Sequence, residues 1–270
     1  MTNNMSTEMT NQDRTAAARA VLAERLAGKS PRARGMEKMH SALIWVYRWG
    51  WSTIAIVEQL SGNVSNGLAA RLVKRGLLSR TRTESAGNVK GVPQWMLTLT
   101  ELGQQEVERV IDELQPYELD PYKIRQDLLR HDAIAQAATV RNLNARVITG
   151  YLTERQMARQ SKVGVKQPDI LWLLPGGTRM AVEIELSGKW DRHLDQFVSS
   201  SLLGLSDQDR FDQLAIVSDS PAIIRRYTTA FTPGAEFSIW KKDEQRRWHR
   251  TGVNTVPQWI EGKLVCQLID

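Results

Sequence analysis

The spacing of apolar residues predicts one helical half and one mixed half. Residues 39–49 are apolar on a helical period, beginning near Glu37, and Gly50 ends them. Ser52 can cap a second short helix over 53–60, and Gly62-Asn63 makes a turn. A third helix is expected over 64–75, with Leu68, Leu72 and Val73 on its inner face and Gly76 as its stop. Two short strands follow at 77–80 and 94–97, separated by a polar loop that holds Gly87 and Gly91. Thr100 can cap a last helix over 101–114. Ahead of all this, residues 1–13 are polar and expected to be disordered, 14–26 have good helix propensity, and the basic GKSPRARG reads as a linker.

Residues 115–123, with two prolines, break the pattern and are expected to join two domains. Beyond them the periods mix. A helix is expected over 124–143, with Leu128, Ile134, Ala135 and Ala138 near its buried stripe, and a short strand at 147–148. The polar, basic stretch 153–167 could follow a nucleic-acid backbone. Apolar runs at 170–174 and 178–186 flank Pro175-Gly176-Gly177 and read as a β-hairpin. An amphipathic helix over 190–203, a strand at 214–217, a helix over 221–230 and a strand at 237–240 complete the order α-β-β-β-α-β-α-β. The class is mixed α/β, with boundaries placed at 1–35, 36–114, 115–123 and 124–270.

Composition narrows the chemistry. The chain has 270 residues, 41% hydrophobic and 24% charged, ordinary values for a globular protein. A single cysteine, Cys266, excludes an internal disulfide and a cysteine-built zinc site. Four scattered histidines make no HExxH or His-X-His motif. No apolar run has membrane-spanning length and the N-terminus has no signal-peptide core, so a cytoplasmic protein without a membrane partner is expected. The net charge of +6 is a modest positive field, compatible with nucleic acid.

The candidate chemistry lies in the hairpin. Glu183 and Glu185 interrupt a run of Val, Ile and Leu, and residues two apart in a strand share a face. The hairpin can bring Asp169 close to them. Crowded, partly buried carboxylates repel, and a divalent cation is the simplest compensation. The alternative has Glu183 and Glu185 facing solvent from an edge strand, with Val182, Ile184 and Leu186 inside.

Pro168-Asp169 followed by Glu183-Ile184-Glu185 resembles the PD-(D/E)XK nuclease superfamily, with Glu185 at the usual lysine position and Lys189 as a displaced cation. The element order of the C-terminal half is similar to that superfamily's αβββαβ core. The order of 36–114, with Arg71-Leu72-Val73-Lys74-Arg75-Gly76-Leu77-Leu78 and Leu97-Thr98-Leu99-Thr100-Glu101-Leu102-Gly103, looks like a winged helix-turn-helix. In such a unit Ser65, Asn66, Arg71 and Lys74 would face the major groove, and Arg80, Arg82 and Lys90 on the wing would meet phosphates. A winged helix used for protein contact is the alternative.

Together the two units resemble plasmid mobilisation relaxases of the MobC type. The resemblance implies nicking of a plasmid transfer origin in double-stranded DNA, with single-stranded DNA and an accessory mobilisation protein as further partners. It implies Mg²⁺ or Mn²⁺ held by Asp169, Glu183 and Glu185, with Lys189 stabilising phosphate charge and Asp132 or His131 completing the site. The bland reading of His131-Asp132 is a solvent-facing helical pair. Tyr151 and Tyr227 are core tyrosines by default. Trp248 and Trp259 either stack bases or anchor a C-terminal strand. Two other classes stay open: a non-catalytic DNA-binding regulator or replication accessory protein on a degenerate nuclease fold, and a restriction-type endonuclease that cuts both strands.

Overall fold

The computed structural model describes residues 11–62, 67–158, 167–207 and 210–269. An exposed helix α1 (Asn11–Leu26) leads into α2 (Pro31–Trp49), α3 (Ile54–Leu60) and α4 (Leu68–Lys74). Strands β1 (Leu78–Arg82) and β2 (Trp95–Leu99) pair antiparallel, and Ser52 adds a one-residue bridge to Leu97. Helix α5 (Glu101–Glu108) closes the unit. Its core gathers Leu43, Val46, Tyr47, Val57, Leu72, Leu97 and Leu99.

Local chemistry sets these limits. Helix α2 starts within the stretch expected to be a linker. The Ser30 hydroxyl accepts from the Ala33 N–H at 3.2 Å, and Pro31 supplies a preset φ at the first helical position. Gly50 ends the helix at φ +86, with its N–H donating to the Val46 carbonyl. Helix α5 stops at Glu108, earlier than residue 114. There the chain turns back onto α2. The Tyr47 hydroxyl donates to the Gln115 carbonyl at 2.7 Å, and the Gln115 amide donates to the Tyr47 carbonyl at 2.7 Å.

Two single 3₁₀ turns, Pro121–Lys123 and Gln126–Leu128, delay the next helix to α6 (Leu129–Asn144). The strand expected at 147–148 is instead part of the turn that follows α6. Arg146 takes φ +58, and the Val147 N–H donates to the Asn142 carbonyl at 3.0 Å. Strand β3 follows at Gly150–Thr153, then the single turn α7 (Glu154–Met157), whose Thr153 and Gln156 form a capping box. Strands β4 (Ile170–Leu173) and β5 (Arg179–Ile184) make the hairpin, turned by Gly176 and Gly177 at φ +83 and +87. Helix α8 (Asp191–Ser206), strand β6 (Gln213–Ser218) and helix α9 (Pro221–Ala230) come next, then β7 (Glu236–Lys242), β8 (Trp248–Thr255) and β9 (Leu264–Leu268).

The main sheet runs β3-β4-β5-β6-β9, antiparallel as far as β5 and parallel from β5 onward. The strand expected at 237–240 does not belong to it. Strand β7 pairs with β8 as a separate ribbon, and β9 takes the outer place beside β6. A strand there needs an apolar inner face. Leu264 and Cys266 pack into that core, whereas β7 buries only Phe237.

Strand alternation gives the sheet two dry faces. Met180, Val182 and Ile184 meet Ala135 and Ala138 of α6, while Ala181 meets Phe197, Leu202 and Tyr227 of α8 and α9. The α6 core also contains Trp45 and Ile56, so both halves of the chain share it. Gln136, fully buried, joins them further. Its carbonyl oxygen accepts from the Trp45 indole at 2.9 Å and the Ser52 hydroxyl at 2.7 Å, and its amide donates to the Trp51 carbonyl at 3.0 Å. No described helix is long and apolar enough to cross a membrane.

Candidate functional site

His131 and Asp132 lie in the first turn of α6, held there by the buried Leu129. His131 bridges two carboxylates: Nδ1 lies 3.1 Å from Asp132 Oδ1 and Nε2 lies 3.2 Å from Asp169 Oδ2. Asp169, the residue just before β4, also accepts from the Ile184 N–H at 2.7 Å, at the last residue of β5. Asp132 accepts from the Trp51 indole at 3.3 Å. Burial works to lower the His131 pKa, but its hydrogen bonds and charge attraction to Asp132 and Asp169 outweigh burial and raise it to about 10. His131 is therefore an imidazolium at neutral pH, donating from both nitrogens.

Glu154, absent from the sequence-derived set, stands at the same cleft beside Arg48, Trp49 and Arg155. Its pKa is pushed up by burial first and then by the charges of Asp169 and Asp132. A Glu opening a helix after Thr153 looks in sequence like an ordinary cap, which is why it drew no attention.

Glu183 and Glu185 point the other way. They share the parity of Ala181 and face α8 and α9, at 6% and 5% exposure. Burial to that extent rules out the solvent-facing alternative. Glu183 lines a small cavity with Pro168, Ser200, Ser201 and Phe211. Glu185 forms an ion pair with Lys189, whose ammonium lies 4.7 Å from the Phe197 ring centroid and 5.9 Å from that of Tyr227. Tyr227 is a core residue, with its pKa pushed far up by burial and then by the neighbouring Glu185 and Glu183 charges.

The six catalytic candidates thus separate into two groups. His131, Asp132 and Asp169 sit on the α6 side and at the start of β4, whereas Glu183, Glu185 and Lys189 sit beneath α8. Among the described residues no three His, Cys, Asp or Glu side chains gather as a metal-holding cluster. Protein cations already stand against the carboxylates. His131 lies between Asp132 and Asp169, and Lys189 against Glu185. The set does not form a fitted site for Mg²⁺ or Mn²⁺ in this arrangement.

The basic candidates lie on the surface of the N-terminal unit. Arg71 and Lys74 occupy the last turn of α4 and are exposed. Arg80 and Arg82 project from β1 and Lys90 from the loop before β2, all exposed, with the Arg80 guanidinium 4.1 Å from the centroid of Trp95. Ser65 and Asn66 lie outside the described residues, as does much of the basic stretch 153–167. One positioning residue escaped the sequence reading. Glu58 of α3 is buried, and its carboxylate accepts from the Ala69 N–H at 2.8 Å, capping the start of α4. Its partner is eleven residues away across a turn, a spacing no local capping pattern covers. Compared with family models, curated proteins and solved structures, the chain matches none.

Proposed function

We propose that this chain is a DNA-binding protein that docks on duplex DNA through a winged helix-turn-helix built from α2 to α5. The observation that carries the reading is the placement of basic side chains. Arg71 and Lys74 line the exposed side of α4, and Arg80, Arg82 and Lys90 extend along the β1–β2 hairpin. A helix for the major groove and a hairpin for the flanking phosphates are the two contacts such a unit makes. The adjoining sheet would then be a nuclease-like scaffold whose acids are internally compensated, as in a regulator or replication accessory protein.

A strand-nicking relaxase is the second reading. It is favoured by the hairpin register: Ile170 pairs with Val182, which sets Asp169 and Glu183 at the next rung. Helix α6 before the hairpin and α8 between β5 and β6 also follow the αβββαβ order. Nicking would require the two carboxylate groups to rearrange around an ion.

Selection of bound sequences from random duplex, followed by plasmid cleavage assays with Mg²⁺ or Mn²⁺, tests both. The first reading expects a discrete bound site, loss of affinity on replacing Arg80, Arg82 and Lys90 by Ala, and no metal-dependent cleavage. Open circles that vanish in Glu183→Gln would decide for the relaxase. Absence of duplex binding under low salt would end the DNA reading.

A further inference from the structure

The β7–β8 ribbon stands apart from the main sheet, and neither function above uses it. Its base is fixed: Phe237 is buried against the α8 and α9 core, and the Trp240 indole donates to Asp195 of α8 at 2.8 Å. A bulge between Ile239 and Trp240 then bends the outer part. Residues 240–250 hold five Lys or Arg and two acids. One of those acids, Asp243, is spent on the turn, accepting from the Arg247 N–H at 2.8 Å and its guanidinium at 3.1 Å. Lys241, Lys242, Arg246 and Arg250 are exposed.

Two cations meet at one ring here, which is not what a solvated charge run does. The Trp248 ring takes Lys242 at 4.9 Å and Arg192 of α8 at 5.2 Å from its centroid. A ring quadrupole lets two positive groups approach where bare charges would repel. The strip continues along the start of α8. There Arg226 of α9 lies 3.4 Å from the centroid of Trp190, the residue before α8, and donates to the Lys189 carbonyl at 2.7 Å. The strip therefore ends beside the Glu185–Lys189 pair. At the ribbon tip Arg246 adopts φ +62, a conformation glycine adopts more readily, so a charged side chain occupies a place that backbone preference would give to Gly.

We propose that the ribbon and the start of α8 form a second DNA contact, which grips the phosphodiester backbone beyond the duplex seated on α4 and the β1–β2 hairpin. This rests on the DNA-binding reading above. Exposed cations spread over the ribbon and the start of α8 suit a polyanion better than a compact ligand. The Trp248 ring already carries two cations, which leaves it for positioning charge and makes the contact one of phosphates, indifferent to base sequence.

The test uses the full chain and fluorescence anisotropy over a range of salt. One duplex spans only the selected site, and a longer one extends past it on both sides. The variant Lys242→Ala/Arg246→Gly/Arg250→Ala is expected to bind the short duplex like wild type. On the long duplex its salt slope should be shallower by about 2 to 3, at roughly 0.9 for each lost phosphate contact, with affinity about tenfold lower. Arg246→Gly alone removes a charge at a position glycine accepts without strain, so misfolding cannot explain its effect. Its slope should fall by about 0.9. Wild-type slopes in both variants on the long duplex would overturn the ribbon contact while leaving the first DNA contact intact. Failure of the wild type to bind either duplex would remove both.

Discussion

The N-terminal helical unit and the C-terminal sheet handle charge in opposite ways. The first keeps its cations outside: Arg71, Lys74, Arg80, Arg82 and Lys90 are all exposed. The second takes acids inside, with Glu183 and Glu185 almost fully buried and Asp169 partly so, and answers them with His131 and Lys189. An exposed charge acts on a partner and is screened by salt. A buried one acts on the protein itself, because its desolvation must be met by a neighbour. Crowded carboxylates can thus be answered by the protein's own cations.

The sharpest way to separate the two regions is at Gln136, which bonds to Trp45, Ser52 and Trp51 across the shared core. Gln136→Leu leaves three buried polar groups without that partner. It should cost about 4 kcal/mol in chemical denaturation, given about 1–3 kcal/mol for each group stranded. Next comes the interior pair. Lys189→Ala leaves Glu185 buried without its cation and should cost about 3 kcal/mol, the low end for a broken buried pair because the lysine head is one-third exposed. Replacing Arg80, Arg82 and Lys90 by Ala makes the contrast. Thermal unfolding should change by about 0.5 kcal/mol, from the lost Arg80–Trp95 contact, while the salt slope of DNA binding falls by up to about 2.7.

The smallest effect lies in a surface pair, where His40 Nε2 lies 3.1 Å from Glu106. The hydrogen bond from His40 holds the Glu106 carboxyl below its usual range. A carboxyl depressed in the folded state adds stability above its unfolded value, and that stability is lost as pH falls through the folded one. His40→Ala should therefore lose a few tenths of a kcal/mol at pH near 6 and almost nothing in strong acid, measured by urea unfolding at both.

What the sequence revealed follows from how local each signal is. The β4–β5 hairpin was readable because alternation and Pro175-Gly176-Gly177 lie within one short stretch, and α2 to α5 because their helical periods and caps are contiguous. The Ser30-Pro31 start of α2 was in plain view, but the arginines and Gly35 after it made the stretch look like a linker. Strand β9 was missed because LVCQL is too mixed to mark an edge strand, and its partner β6 lies some fifty residues back across the ribbon. His131, Asp132 and Asp169 were named as candidates, yet the bridging of two acids by one imidazole is a matter of angles that spacing cannot give. The same holds for the opposite facing of Asp169 and Glu183, since a residue at a strand end is released from the alternation that governs its neighbours.

The core shared by Trp45 and Ile56 with the sheet has a consequence for geometry along DNA. If the docking unit and the ribbon both seat on one duplex, the shared core would hold the distance between their two contacts constant, and with it the side of the double helix each meets. Inserting about five base pairs between the two contacts, half of a helical turn of roughly 10.5, would carry the second to the far face of the duplex. Inserting a whole turn would bring it back to the same face, and binding would rise and fall with the helical repeat.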